Sequence, residues 1–254
     1  MLKEDVYFGN WQEEEMEYYP KRRVNNKISW KIHHLMGSFY SNKMKRTIEY
    51  ESIGECLFYY ALELMEQVDS YYVQPLEIEI PFIKKDGDIS RWVHVPDALV
   101  FGEGIKPTIV QIKEAPSESE KHQIINQACD RYASNKGWNY QVIYPKKLPK
   151  TVLYNINYLN GSLKKQKRFE EWIPEIIYRL KVLGESTVYE LSQTFSTKVN
   201  PLMIMPVIYH LIASGKFHID ITKKIDENSV IKIKNFNEQL LPYLNLEGDL
   251  FENK

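Results

Sequence analysis

Two short β-branched segments near residue 100 constrain this chain more than any other feature. Ala98 to Phe101 and Thr108 to Lys113 are apolar and flank Gly102-Glu103-Gly104, so they predict neighbouring strands joined by a tight turn. Side chains alternate along a strand, so Gln111 and Lys113 are expected to project together while Val110 and Ile112 enter a core. Asp97, just after Pro96, then stands where the first strand begins. A carboxylate, an amide and an ammonium converging from paired strands are the equipment for holding a divalent cation against a phosphodiester.

A further oxygen donor lies upstream. From Glu51 to Leu64 the apolar residues recur at helical spacing, with Leu57, Tyr60, Ala61 and Leu64 as the expected buried stripe. Glu55 has two readings there. As the partner of Ser52 three residues earlier it completes a capping box, and as a carboxylate at a helix start it can serve as a metal ligand.

The flanking segments predict an α/β unit. Leu76 to Phe82 alternates in polarity and reads as an antiparallel strand. A helix is expected from Ser117, with Ser117-x-x-Glu120 as its cap, to Gly137, followed by a strand over Tyr140 to Tyr144. Helix, three strands, helix, strand is the resulting order.

Composition excludes several classes. With 33 basic and 34 acidic residues the chain lacks the global field of a free-standing, non-specific DNA binder, so any DNA contact must be local or arranged by partners. Cys56 and Cys129 lie far apart, which leaves no disulfide framework and no zinc spacing to expect. The first residues are charged, no apolar run approaches membrane length, and a cytoplasmic location is expected. No glycine-rich phosphate loop follows a predicted strand, which disfavours a coenzyme-binding enzyme. Basic clusters do occur, at Lys21-Arg22-Arg23, Lys43-Met44-Lys45-Arg46 and between Lys146 and Arg168. They are either solvated surface or phosphate-positioning patches, with Lys43 and Arg46 the candidates for DNA contact.

Turn-forming residues after Tyr144 predict an organisation of three parts: residues 1–150, a basic connector over 151–167 with a short structured piece near Val152 to Leu159, and residues 168–254. In the last part, helices are expected over Phe169 to Leu183, after Thr187-x-x-Glu190, and from Asn200-Pro201 toward Ser214, with Pro206 either a kink or a true start. A hairpin of Lys216 to Ile221 with Val230 to Lys234 would then complete a winged helix. The third helix carries Met203, Ile204, Met205 and Ile208 with scarcely any basic residue, which favours a protein-contact role over base reading; His210 is expected as a satisfied core or interface residue. The apolar and acidic end, Leu240 to Glu247, is expected to tuck against this unit.

The order helix-Glu55, Pro96-Asp97, Gln111-Ile112-Lys113 is similar to the restriction-endonuclease-like nuclease core. Together with Gly37 to Arg46, Glu51-Ser52-x-x-Glu55 and Gln74-Pro75-Leu76, it resembles the TnsA endonuclease family of heteromeric cut-and-paste transposases, in which Gln stands where most of the superfamily has Glu. The resemblance covers the first half of the chain in motif detail and the rest in architecture. It implies an α/β fold with a restriction-endonuclease-like catalytic domain, a mixed sheet and a C-terminal winged-helix domain. It also implies a Mg²⁺-dependent endodeoxyribonuclease, with Mn²⁺ able to substitute, that nicks the 5′ side of transposon ends in double-stranded DNA. A TnsB-like DDE transposase and a TnsC-like ATPase would be its partners, the C-terminal region engaging the ATPase. Glu55, Asp97, Gln111 and the Ile112 carbonyl would hold the metal, and Lys113 would position or deprotonate the attacking water. Two alternatives stand beside this: a stand-alone restriction or repair nuclease, and an inactive adaptor in which Gln111 marks a dead site.

Overall fold

The computed structural model describes residues 16–21, 36–65, 67–83, 86–117, 119–233 and 239–244. Arg22, Arg23, Lys234 and the stretch from Asn245 onward, which carry some of the sequence expectations, lie outside them.

The chain forms a mixed α/β structure. Strands β1 (Gly37–Ser41) and β2 (Arg46–Tyr50) pair as a hairpin and lead into helix α1 (Ile53–Leu64). Four strands then make the central sheet in the order β3 (Val68–Val73), β6 (Ala98–Gly102), β7 (Thr108–Ile112), β8 (Asn139–Ile143). β6 runs antiparallel to both β3 and β7, and β8 runs parallel to β7, so the sheet is mixed. The parallel connection is supplied by helix α2 (Glu120–Lys136), which packs on β7, β8 and β4 (Ile78–Ile83). β4 pairs with β5 (Ile89–His94) in a separate two-stranded ribbon, and Ile78 and Ile80 of that ribbon pack with Ile125 and Cys129 of α2.

Three sequence expectations are corrected here. The alternating strand near residues 76–82 exists, but it belongs to the outlying ribbon; its expected place in the sheet is taken by β3, which the sequence reading left unassigned. Its half-polar pattern is that of a ribbon with one solvated face, whereas β3 has buried residues in succession and shows no alternation. Helix α2 is capped by Ser119 rather than Ser117, because the Ser119 hydroxyl accepts from the His122 amide while Ser117 bonds the Ser119 amide. Lastly, α1 is not a one-sided helix: Cys56, Phe58, Tyr59 and Leu62 are buried as well as the expected stripe. The sheet covers one side of α1 and the C-terminal third of the chain covers another, the Tyr60 hydroxyl donating to the Ala213 carbonyl at 3.0 Å. Each such fully buried side chain contributes about 1.5–3 kcal/mol.

Beyond the sheet, α3 (Lys150–Asn160) occupies the expected connector, its Val152, Ile156 and Leu159 entering the same hydrophobic cluster as α1 and the sheet. A 3₁₀ turn (Lys167–Phe169) precedes α4 (Ile173–Leu183), which therefore starts later than expected; turn residues 170–172 fill the gap, and Pro174 stands in the first turn of the helix. β9 (Glu185–Thr187), α5 (Val188–Gln193), α6 (Pro201–Ala213), β10 (His218–Ile219), β11 (Val230–Lys232) and the short α7 (Leu241–Leu244) complete the order. The expected caps form: Thr187 and Glu190 make a full capping box, and Asn200 caps α6 through the Leu202 amide at 3.0 Å. α6 continues through Pro206. The expected two-stranded hairpin is a three-stranded sheet in the order β10-β11-β9, with β9 the strand the sequence reading missed; at three residues it is too short to show a period. Among the described residues no helix is long and apolar enough to cross a membrane.

Candidate functional site

Asp97 sits at the turn into β6, and its position is fixed from two sides. Its main-chain carbonyl accepts hydrogen bonds from the Tyr59 hydroxyl at 3.0 Å and from the Gln74 amide at 3.0 Å. Gln74 adopts a left-handed backbone (φ 48°), a conformation that costs a non-glycine residue about 1–2 kcal/mol and is retained here where its amide holds Asp97. The Asp97 carboxylate accepts from the Ile112 amide at 2.6 Å and from the Gln111 side-chain amide. Gln111 in turn bonds through its Oε1 to His94 Nε2 at 2.7 Å. A chain of polar groups, His94–Gln111–Asp97, thus crosses from the β4–β5 ribbon to the central sheet.

Gln111 is 1% exposed, and every residue of β7 is buried. Gln111, expected to project away from the core-facing Val110 and Ile112, is therefore enclosed: β7 lies between β6 and β8, and α2 packs on it. An enclosed amide must have its hydrogen-bonding capacity met, and here it is met by His94 and Asp97.

The start of α1 lies against the end of β7. A Cβ at Gly54 would stand 3.4 Å from both the Ile112 side chain and the Pro145 ring, so the helix start approaches closely there because residue 54 has no side chain. Glu55, the next residue, spends its carboxylate on the helix start: Oε2 accepts from the Glu51 amide at 2.8 Å and Oε1 from the Ser52 hydroxyl at 3.1 Å, while Ser52 Oγ accepts from the Glu55 amide at 3.1 Å. The capping reading of Glu55 therefore describes its contacts. The buried Tyr59 phenol is held far above its ordinary pKa, by burial first and then by the negative charges of Glu55 and Asp97.

Lys113 follows β7, its amide donating to the Ile143 carbonyl at 3.0 Å. Its ammonium and the Asp97 carboxylate both act on the thiol of Cys129, which burial pushes up to about 12. Among the described residues, no three His, Cys, Asp or Glu side chains gather closely enough to hold a metal; beside the Asp97 carboxylate stands the amide oxygen of Gln111, a hard donor now bonded to His94.

The basic candidates are used by the fold. The Lys43 ammonium donates to the carbonyls of Met65 and Val68, where α1 ends. The Arg46 guanidinium lies 5.7 Å from the centre of the Tyr72 ring with its Nη2 buried. Both residues are partly buried. His210 is the satisfied core residue expected: it is 5% exposed, Nδ1 meets the Ser162 carbonyl at 2.9 Å, and burial lowers its pKa.

Sequence reasoning missed Tyr59 and His94. Tyr59 falls on the buried side of an apolar helix, and only its hydroxyl distinguishes it from a packing residue. His94 stands in the ribbon strand β5, three residues before Asp97, where no spacing rule points to it. The sequence matches no protein-family model and no curated protein.

Proposed function

We propose that the protein is a Mg²⁺-dependent DNA endonuclease of the TnsA type, nicking the 5′ ends of a transposon in concert with a TnsB-like transposase and a TnsC-like ATPase. The observation that carries the reading is the meeting of Asp97 with Gln111 and the Ile112 amide at the end of the mixed sheet, beside the helix start that bears Glu55. The mixed sheet with α1 and α2 fits a restriction-endonuclease-like core. The succession α4, β9, α5, α6, β10, β11 fits a winged helix.

Asp97, Glu55, the Gln111 Oε1 and the Ile112 carbonyl would hold the cation. When bound, it lowers the pKa of a coordinated water and offsets negative charge on the scissile phosphate. Asp97, fixed through its carbonyl by Tyr59 and Gln74, offers a carboxylate that needs no reorientation of the main chain. Gln111 has to turn, since its amide nitrogen now faces Asp97 and its oxygen faces His94. Glu55 has to release at least one capping bond. Lys113 orients the water or stabilises charge developing on the phosphate. The near balance of charge accords with partners delivering the DNA.

One observation favours the adaptor as second reading: the Asp97 and Gln111 side chains already satisfy each other. Nicking of labelled transposon-end duplex, with Mg²⁺ or Mn²⁺ and with or without the two partner proteins, separates the cases. Metal-dependent nicking only with partners supports the proposal. Nicking without them supports a stand-alone nuclease, and no nicking in any condition supports the adaptor.

A further inference from the structure

Helix α3 carries an aromatic and cationic face that the metal site does not use. Its Val152, Asn155, Ile156 and Leu159 are buried, whereas Lys150, Asn157, Tyr154 and Tyr158 are exposed, the tyrosines to 48% and 39%. Intervals of four residues set Lys150, Tyr154 and Tyr158 one above another on a single stripe. The two rings lie within 9° of parallel with centroids 6.4 Å apart. Tyr209 of α6 braces Tyr158 edge-on at 5.4 Å, and the Lys224 ammonium, from the segment between β10 and β11, stands 5.4 Å from the Tyr154 ring centre.

The charge around this face is one-sided along the chain. From Gln141 to Phe169 there are six lysines and one arginine and no acidic residue. Asp226 and Glu227 act on the Tyr209 side of the cluster, and Asp220 is engaged by Lys223 at 3.4 Å. Two neighbouring rings left this exposed beside lysines for which no ion pair occurs among the described residues form a patch that burial alone does not account for.

We propose that this face of α3 binds single-stranded DNA, its bases stacking on Tyr154 and Tyr158 and its phosphates meeting Lys150 and Lys224. Duplex DNA keeps its base faces stacked inside, so an unpaired strand is the nucleic acid whose chemistry matches flat exposed rings. The choice of DNA over RNA rests on the nuclease reading; the surface itself does not.

The test uses the full chain in EDTA, titrated into a labelled oligothymidylate of about 20 nucleotides and followed by anisotropy. Binding should weaken by about tenfold or more in the Tyr154→Ala/Tyr158→Ala double variant and persist in Tyr154→Phe/Tyr158→Phe. Lys150→Ala/Lys224→Ala should weaken it and lower the salt slope by about one to two. Thermal melting by circular dichroism confirms that each variant is folded. The proposal is overturned if the unaltered chain fails to bind, if the double alanine variant binds equally well, or if duplex DNA or an RNA oligomer binds as tightly as the single strand. Because no metal or cleavage is involved, a protein that never nicks DNA can still pass this test, and one that nicks can fail it.

Discussion

The two ends of helix α1 each carry a glutamate, and the two are used differently. At the C-terminal end, the Glu63 carboxylate accepts from the Ser41 hydroxyl, from the Tyr71 hydroxyl at 2.7 Å, and from the amides of Asn42 and Lys43 at 2.8 and 3.3 Å. Those donors come from the β1–β2 turn and from β3, so Glu63 ties the hairpin to the sheet. At the N-terminal end, Glu55 accepts from the Glu51 amide and the Ser52 hydroxyl of its own helix start, next to Gly54, which packs against Ile112. A carboxylate held by distant elements cannot leave without loosening the fold. One held by neighbours along the chain can exchange a partner for an ion at modest cost, which is what the proposed metal site asks of Glu55.

The comparison breaks most plainly at the site end. Asp97→Ala should lower metal-dependent nicking by about a thousandfold, because it removes a direct ligand, while leaving the far-ultraviolet dichroism unchanged. Glu55→Gln, which keeps the capping geometry, should follow it in activity with a change in stability below about 1 kcal/mol. If Glu55→Gln nicks normally, Glu55 is a cap and nothing more.

Glu63→Ala is the opposite arm. It strands several donors at once and should cost about 2–4 kcal/mol in urea denaturation, while nicking per folded molecule stays the same. A loss of activity larger than the unfolded fraction explains would place Glu63 in the site and erase the distinction.

His94 sharpens the comparison at intermediate size. By holding Gln111 it acts on the site through another residue, so His94→Ala should change Mn²⁺ affinity, read by titration calorimetry, by about 10–100-fold. Unaltered affinity would show that Gln111 orients itself.

Cys56, in the first turn of α1, supplies the smallest effect. Burial pushes the Cys56 thiol up to about 11 from an ordinary value of 9.0. The neutral thiol is favoured in the fold, so its contribution is complete below pH 9 and is lost as pH rises toward 11. Iodoacetamide should accordingly leave Cys56 unmodified at pH 8 until denaturant is added; rapid modification of the native protein would mean that α1 opens.

Much of the local structure was legible before folding. Strands at Ala98 and Thr108, the caps at Ser52, Thr187 and Asn200, and the end of α2 at Gly137 all follow from rules that act within a few residues. The β3 strand, the ribbon partner β5 and the short strand β9 were not legible, because β3 is buried at all but Asp69 and carries no alternation, while β9 is only three residues long. Of the candidate site, Asp97 and Gln111 could be placed on neighbouring strands from pattern alone. That they touch, and that His94 and Tyr59 hold them, depends on a hydrophobic core built from residues far apart in the chain.

What the sequence by itself determined about this protein is therefore the kind and position of its local elements and the types of chemical group they carry, since backbone propensity, capping and side-chain alternation are interactions between near neighbours. The tertiary structure alone decided that both faces of β7 would be closed, that Glu63 would be tied to distant elements while Glu55 caps its own helix start, that Lys43 would bond the carbonyls where α1 ends and that Arg46 would lie over Tyr72. Those outcomes depend on which surfaces lose water together, and no stretch of residues contains that information until the chain is packed against itself.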